Sequence, residues 1–263
     1  MNFESYFKEL QDKGINLSDE QKKWYIKKAS ILGEDVKREY PSTPDEAFEV
    51  NTAGLYYAIP ISIARYQNRI RNIPFDRTVK VHTAWDLGFR DATCILFFQI
   101  MGREIHLIDF VEKTGTSIAE FAKILHSKEY VYGSHLAPHD IKVHELSSGV
   151  SRFDTAAKLG IPFSLVPDLS IADGIDMVRN MFPRLYFHNS QPVLDMVRHI
   201  ENYSQKWDRT VGQWSGRPDH SPHSHCADAL RYLCVGLDHC TDESQGVSQE
   251  KADALWRTHG RRV

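Results

Sequence analysis

VKVHTAWDLGFRDATCILFFQIMGREIHLIDFVEK, residues 79–113, is the stretch whose reading decides the fold. It holds three successive runs rich in β-branched and aromatic residues: VKVHTAWDLG, ATCILFFQIMG and REIHLIDFVEK. Only the turn-like pieces GFRD and MGRE separate them, so the runs predict an antiparallel meander of three strands.

Downstream, SIAEFAKILHSKEY carries Ile118, Phe121, Ile124 and Leu125 at helical spacing. YVYGSHLAP reads as a fourth strand, SRFDTAAKLG as a helix closed by Gly160, and PFSLVP as a fifth strand. IADGIDMVRNMF, PVLDMVRHIENY and HCADALRYLCVGL read as helices. The order predicts an RNase H-like α/β fold: a mixed five-stranded sheet, three antiparallel strands first, flanked by helices.

Upstream, residues from 3 to 39 read as helical. Ser18 is an N-cap with Glu20 and Gln21 at or near the capping-box position, and Trp24, Ile31 and Leu32 follow near helical spacing. A short helix is expected at Pro44–Phe48, where proline suits a first turn. Residues 51–78 read as a connector containing a helical piece, ISIARYQNRIRN, and a break at Pro74. The expected organisation is a mostly helical N-terminal segment, 1–78, ahead of a domain spanning 79–263.

With 263 residues and 41% hydrophobic content, the chain can build one large domain, or one domain with an appendage. No stretch approaches the roughly 18 consecutive apolar residues of a membrane helix, and no membrane partner is expected. The acidic, amphipathic start MNFESYFKELQDKG is unlike a secretory leader. Cys94, Cys226, Cys234 and Cys240 show no paired framework, which points to a reducing cytosol. A net charge of −3 argues against coating nucleic acid through bulk charge. It leaves a nuclease open, because acidic site residues offset basic ones and bound cations add charge absent from the sum.

Three aspartates stand in contexts a metal-dependent phosphodiesterase can use. Asp86 ends the first strand of the meander, Asp140 follows the fourth strand in PHD, and Asp228 lies in the first turn of the last helix. Each has an ordinary reading: a turn former at a strand end, a turn or N-cap, and a first-turn acid favoured by the helix dipole. Their joint placement favours chemistry, since in this topology the first strand, fourth strand and last helix converge at one sheet edge. His225 precedes Asp228 by three residues and shares its helix face. Asp91, a hairpin-turn residue on the ordinary reading, is a candidate fourth acid, and Asp109 in HLIDFVE competes with Asp140. The cluster His223, His225, Cys226, Cys234, His239 and Cys240 has the wrong spacing for structural zinc. No GxxxxGK[ST] phosphate loop, GxSxG elbow or HxE-type metalloprotease helix occurs.

REYPSTPDEAF, AWDLGFRDAT, LAPHDI and HCADALRY, in order over residues 38–232, resemble the large terminase subunit of tailed bacteriophages. In that family an N-terminal ATPase motor pumps DNA and a C-terminal RNase H-like nuclease cuts the concatemer. The resemblance covers the nuclease half, with the tail of the motor region or linker ahead of it. It implies that Asp86 is the first-strand acid, Asp140 the fourth-strand acid and Asp228 the last-helix acid. His225 is similar to the histidine preceding that acid in related resolvase-type nucleases, and Asp91 to an additional acid of some members.

The expectation is therefore a DNA endonuclease using two Mg²⁺ or Mn²⁺ ions, Asp86 bridging both, Asp140 and Asp228 completing one shell each. Arg90, Lys142, Arg152, Lys158, Arg209 and Arg217 are the candidate DNA-contacting cations, against scattered solubilising charge. QKWDRTVGQWSGRPDHSPHSH reads as a hairpin or loop, whose Trp207 and Trp214 join Arg209 and Arg217 in tracking the duplex or gating the site. The expected partners are double-stranded DNA, portal protein, small terminase and a motor ATPase domain, in the cytoplasm of an infected bacterial host. A junction resolvase or transposase-type nuclease, and a non-cutting docking domain, are the competing readings.

Overall fold

The computed structural model describes residues 2–32, 36–44, 46, 52–88, 91–142, 151–208 and 210–241. The chain divides into two units, Met1–Gly54 and Leu55–Val263.

The first unit holds helices α1 (Phe3–Asp12), α2 (Asp19–Leu32) and α3 (Val36–Glu39). At the start of α2, Ser18 Oγ accepts the Gln21 N–H at 3.3 Å and Gln21 Oε1 accepts the Ser18 N–H at 2.8 Å. This is the reciprocal capping box read from the sequence. The packed face of α2 differs from the Trp24–Ile31–Leu32 pattern. Tyr25 and Ala29 are buried with Tyr6, Leu10 and Val36, while Trp24 and Ile31 are exposed. A polar anchor draws the tyrosine face inward. Tyr25 stacks on Tyr6, and the Tyr6 hydroxyl lies 2.9 Å from Glu46 Oε2, which also accepts the Ser42 N–H at 2.7 Å. Thr43 Oγ1 accepts the Glu46 N–H at 3.0 Å. Most of the helix expected at Pro44–Phe48 lies outside the described residues.

The second unit begins with α4 (Ala58–Tyr66) and β1 (Ile70–Arg71), followed by the meander β2 (Val81–Asp86), β3 (Ala92–Met101) and β4 (Glu104–Thr114). Next come α5 (Ile118–Ser127), β5 (Tyr132–Ala137), a 3₁₀ turn at His139–Lys142, α6 (Arg152–Lys158) and β6 (Phe163–Leu165). Then α7 (Ile171–Met181), β7 (Leu185–His188), α8 (Gln191–Glu201), the hairpin β8 (Gln205–Asp208) and β9 (Gln213–Pro218), α9 (Ser224–Val235) and α10 (Asp238–Thr241) follow. Among the described residues, no helix is long and apolar enough to cross a membrane.

The five expected strands pair in the order β4-β3-β2-β5-β6, with β2–β4 antiparallel and β5 and β6 parallel to their inner neighbours. This is an RNase H-like sheet. It has seven strands rather than five, because β7 and β1 extend it in parallel beyond β4. The unit boundary falls at Gly54 rather than at residue 78 for a related reason. Leu55 bridges Ser204, Ile61 and Ala64 of α4 are fully buried in the core, and Ile70 pairs with Phe187.

Side chains alternate across the sheet with a period of two. Val81 and Trp85 enter a layer with Phe97, Phe121 and Leu125, whereas Ala84 enters the opposite layer with Leu96, Leu107, Leu230 and Leu233. Burying each of the larger apolar side chains contributes about 2–3 kcal/mol. The same alternation carries Asp86, the last residue of β2, to the side covered by α9.

Candidate metal centre

β2 lies between β3 and β5, so its end is fixed from both sides, and Asp86 sits opposite Cys94 in register. α9 rests on that end with Cys226, Ala227, Leu230 and Leu233 buried. Its first turn therefore meets the strand tip, where His225 Nδ1 and Asp86 Oδ2 are 3.0 Å apart. The side chains retain 12% and 16% of their exposure, so the contact is largely withdrawn from water. Burial raises the Asp86 carboxyl above its ordinary value against the His225 bond, and the negative charges of Asp228 and Asp140 raise it further. The Asp86 bond in turn raises His225, against its own burial. A cation beside the pair would relieve the crowded negative charge of Asp86, Asp228 and Asp140.

The other acids are placed unevenly. Asp228 follows His225 by one turn of α9, and its Oδ1 accepts from Arg231 Nη2 at 2.8 Å and Nε at 3.3 Å. Asp140 is exposed on the 3₁₀ turn after β5 and reaches Asp86 through its charge rather than by contact. Asp109 is engaged elsewhere, on Lys128, with the Tyr130 hydroxyl at 3.4 Å. Glu112, level with Asp86 across β3, takes His199 at 3.3 Å.

Among the described residues, one cluster brings metal-ligating atoms within 4.8 Å of one another: Asp91, His220 and His225. Asp91 Oδ2 and His220 Nε2 are 3.9 Å apart, and the two imidazoles meet edge to face at 5.5 Å. His225 thus joins this cluster to Asp86. His220 does not stand out in the sequence, because nothing in PDHSPHSH distinguishes it from its neighbours. Arg231 is equally inconspicuous there, lying on an apolar-looking helix. The four described cysteines are all buried, and none joins that cluster of ligating atoms.

Of the expected DNA-contacting cations, Arg217 on β9 lines a cavity of about 760 Å³ together with His220, Asp228, Arg179 and Tyr203. Arg152 donates to the Leu87 carbonyl at 3.3 Å, so it braces the loop after Asp86. Lys142 lies 5.4 Å from the centre of the Phe153 ring, and Lys158 is exposed on α6. Arg90 and Arg209 lie outside the described residues. Trp207 and Trp214 face each other across the hairpin with ring centres 5.0 Å apart.

The strand order, with Asp86 and His225 meeting at the end of β2, defines an RNase H-like domain with a carboxylate–imidazole centre. Its fold is similar to that of the large terminase of a thermophilic bacteriophage, at 15% identity over 65% of this chain, with a TM-score of 0.50. This chain spans 43% of that protein's length. The P22 large terminase nuclease domain matches at 17% identity over 70% of this chain and 93% of its own, with a TM-score of 0.49. The nuclease domain of g2p, the large terminase of bacteriophage SPP1, solved with bound Mn, matches at 14% identity over 60% and 86%, with a TM-score of 0.41. At 15% identity the likeness to the first of these is one of fold. No family model and no curated protein matches the chain.

Proposed function

We propose that the chain is a divalent-metal-dependent DNA endonuclease of the large terminase type, which cuts concatemeric viral DNA during packaging. The observation that carries this reading is the convergence on β2 of Asp86 and His225, in contact at 3.0 Å and under the charges of Asp228 and Asp140. The donor set fits Mg²⁺ or Mn²⁺: hard carboxylate oxygens, with the imidazoles of His220 and His225 favouring Mn²⁺.

Asp86, Asp140 and Asp228 would hold two ions, with Asp91, His220 and His225 as additional ligands. Such ions, when bound, polarise the phosphodiester and lower the pKa of water. The chain's own residues do the rest. The His225 Nδ1 contact at 3.0 Å fixes the orientation of the Asp86 carboxylate. Arg152 keeps the Leu87 carbonyl, and so the Asp86 tip, in place. Arg217 and Lys142 meet phosphates, which carry no base identity, so cutting is expected to be indifferent to sequence.

On this reading residues 1–54 belong to the end of a motor region or linker. The partners are double-stranded DNA, a motor ATPase domain, the portal protein and the small terminase, in the cytoplasm of the infected host. Supercoiled plasmid incubated with Mn²⁺ should be nicked and linearised, and Asp86→Asn should lose at least about a hundredfold in rate, the cost of removing about 3 kcal/mol of transition-state stabilisation. An Asp86→Asn protein that cuts as fast as the parent refutes the assignment. Selective cutting of a four-way junction points instead to a resolvase, and no cutting at all points to a docking domain.

A further inference from the structure

Arg231 occupies a place that the rest of the fold has been shaped to allow. A methyl group on Gly174 of α7 would fall 2.4 Å from Arg231 Cδ and 2.7 Å from Cγ. The arginine stem therefore runs across bare backbone, and any side chain at position 174 would displace it. Its side chain retains 12% of its exposure; the guanidinium lies 4.8 Å from the Tyr232 ring centre and turns both Nη2 and Nε to Asp228 Oδ1. Asp228 Oδ2 takes no hydrogen bond among the described residues. An exposed i, i+3 pair on a helix would need none of this accommodation.

We infer that Arg231 is a positioning residue that holds down the affinity of the Asp228 side of the centre for a divalent cation until DNA arrives. The inference rests on the nuclease reading and concerns the regulation of that same site. A fixed positive charge, shielded from water and bonded to a ligand carboxylate, repels an incoming cation and leaves it one oxygen. A DNA phosphate beside the centre offers the guanidinium a second anion with matching geometry. Arg231 can then relinquish Asp228, and the cation gains both an oxygen and relief from repulsion. Metal and DNA binding are thereby coupled, and each must tighten the other by the same factor.

Isothermal titration of Mn²⁺ into the whole chain tests this without relying on cleavage. Arg231→Gln should tighten Mn²⁺ binding by about tenfold or more, since close charge pairs in protein readily exceed the interaction that a tenfold change represents. Arg231→Lys, which keeps the charge, should stay near the parent. A short phosphorothioate duplex should tighten Mn²⁺ binding by the parent and barely change Arg231→Gln. Unchanged or weaker binding by Arg231→Gln, in protein shown folded by circular dichroism, overturns the inference. Should that variant not fold, Gly174→Ala, which crowds the arginine stem, serves in its place: partial tightening supports the inference, and parental affinity sinks it. A parent that binds no Mn²⁺ with or without DNA removes the nuclease reading and this inference together. A parent that binds while Arg231→Gln fails to tighten removes this inference alone.

Discussion

Lowering the pH from 7.5 to 5 is expected to destabilise the second unit through two buried histidines. His82, 1% exposed in β2, uses Nδ1 to accept the Ser134 N–H at 3.0 Å and stacks on Phe98. His135, 3% exposed in β5, places Nδ1 2.7 Å from Thr83 Oγ1, which already accepts the Trp85 indole N–H at 2.7 Å. His82 Nδ1 acts as an acceptor in the neutral ring, so a proton there would face the Ser134 N–H. Burial lowers both rings from 6.5 to about 4, with Lys80 adding to the effect on His82, and His82 and His126 to that on His135. A folded-state pKa below the unfolded value means stability that is whole above pH 6.5 and lost as the pH falls toward 4. At pH 5 the loss is about 2 kcal/mol for each ring, or about 4 kcal/mol together, against a typical total of about 5–15 kcal/mol. Asp86 and His225, both raised, oppose this trend in the parent and must be cancelled by comparison. His135→Asn, whose amide can meet Thr83 Oγ1 as donor or acceptor, does so. Urea unfolding at both pH values should show the parent losing about 2 kcal/mol more than His135→Asn. Parallel losses, within about 0.5 kcal/mol, would refute the assignment of the proton uptake to this ring.

Gly133→Ala would place a methyl group 2.5 Å from His82 Cε1 and 2.7 Å from its Nδ1. The ring is pinned by Ser134 and Phe98, so the variant should lose about 1–3 kcal/mol, read as a lower urea midpoint at constant slope, and an unchanged midpoint contradicts this. Arg217→Ala should weaken duplex binding evenly across sequences and flatten the log–log salt slope by about one in fluorescence anisotropy. An unaltered slope removes Arg217 from the phosphate-contacting set.

The meander, the two parallel strands after it and the final helix were legible because each is a long run of one period with short, polar punctuation. Ser18 announced its helix chemically; the capping box that Ser117 forms with Glu120 emerges only in the structure. The two additional strands were not legible. LYFH is four residues between helices, and Ile70–Arg71 is two, so neither is long enough for alternation to stand out from its surroundings. Their identity as strands comes from the partner each finds in space. The site divides along the same line. Asp86, Asp228 and His225 lie on elements whose ends the topology predicts. His220 and Arg231 acquire their roles from neighbours far away in sequence: Asp91 for the first, Gly174 for the second. Asp140, exposed and without direct contact to Asp86, is where strand order alone said least about side-chain position.

The additional strands also change how the sheet ends. At one border stands β1, two residues long and followed shortly by Pro74; at the other stands β6, three residues long, with Pro162 before it and Pro167 beyond it. Short borders flanked by prolines offer few free backbone amides in a row for a foreign strand to zip onto. The ten-residue strand β3, rich in apolar residues, is enclosed between β2 and β4, and the first residues of the eleven-residue β4 are covered by β7. A molecule built this way can be concentrated with little risk of the seven-stranded sheet fusing edge to edge with that of another copy.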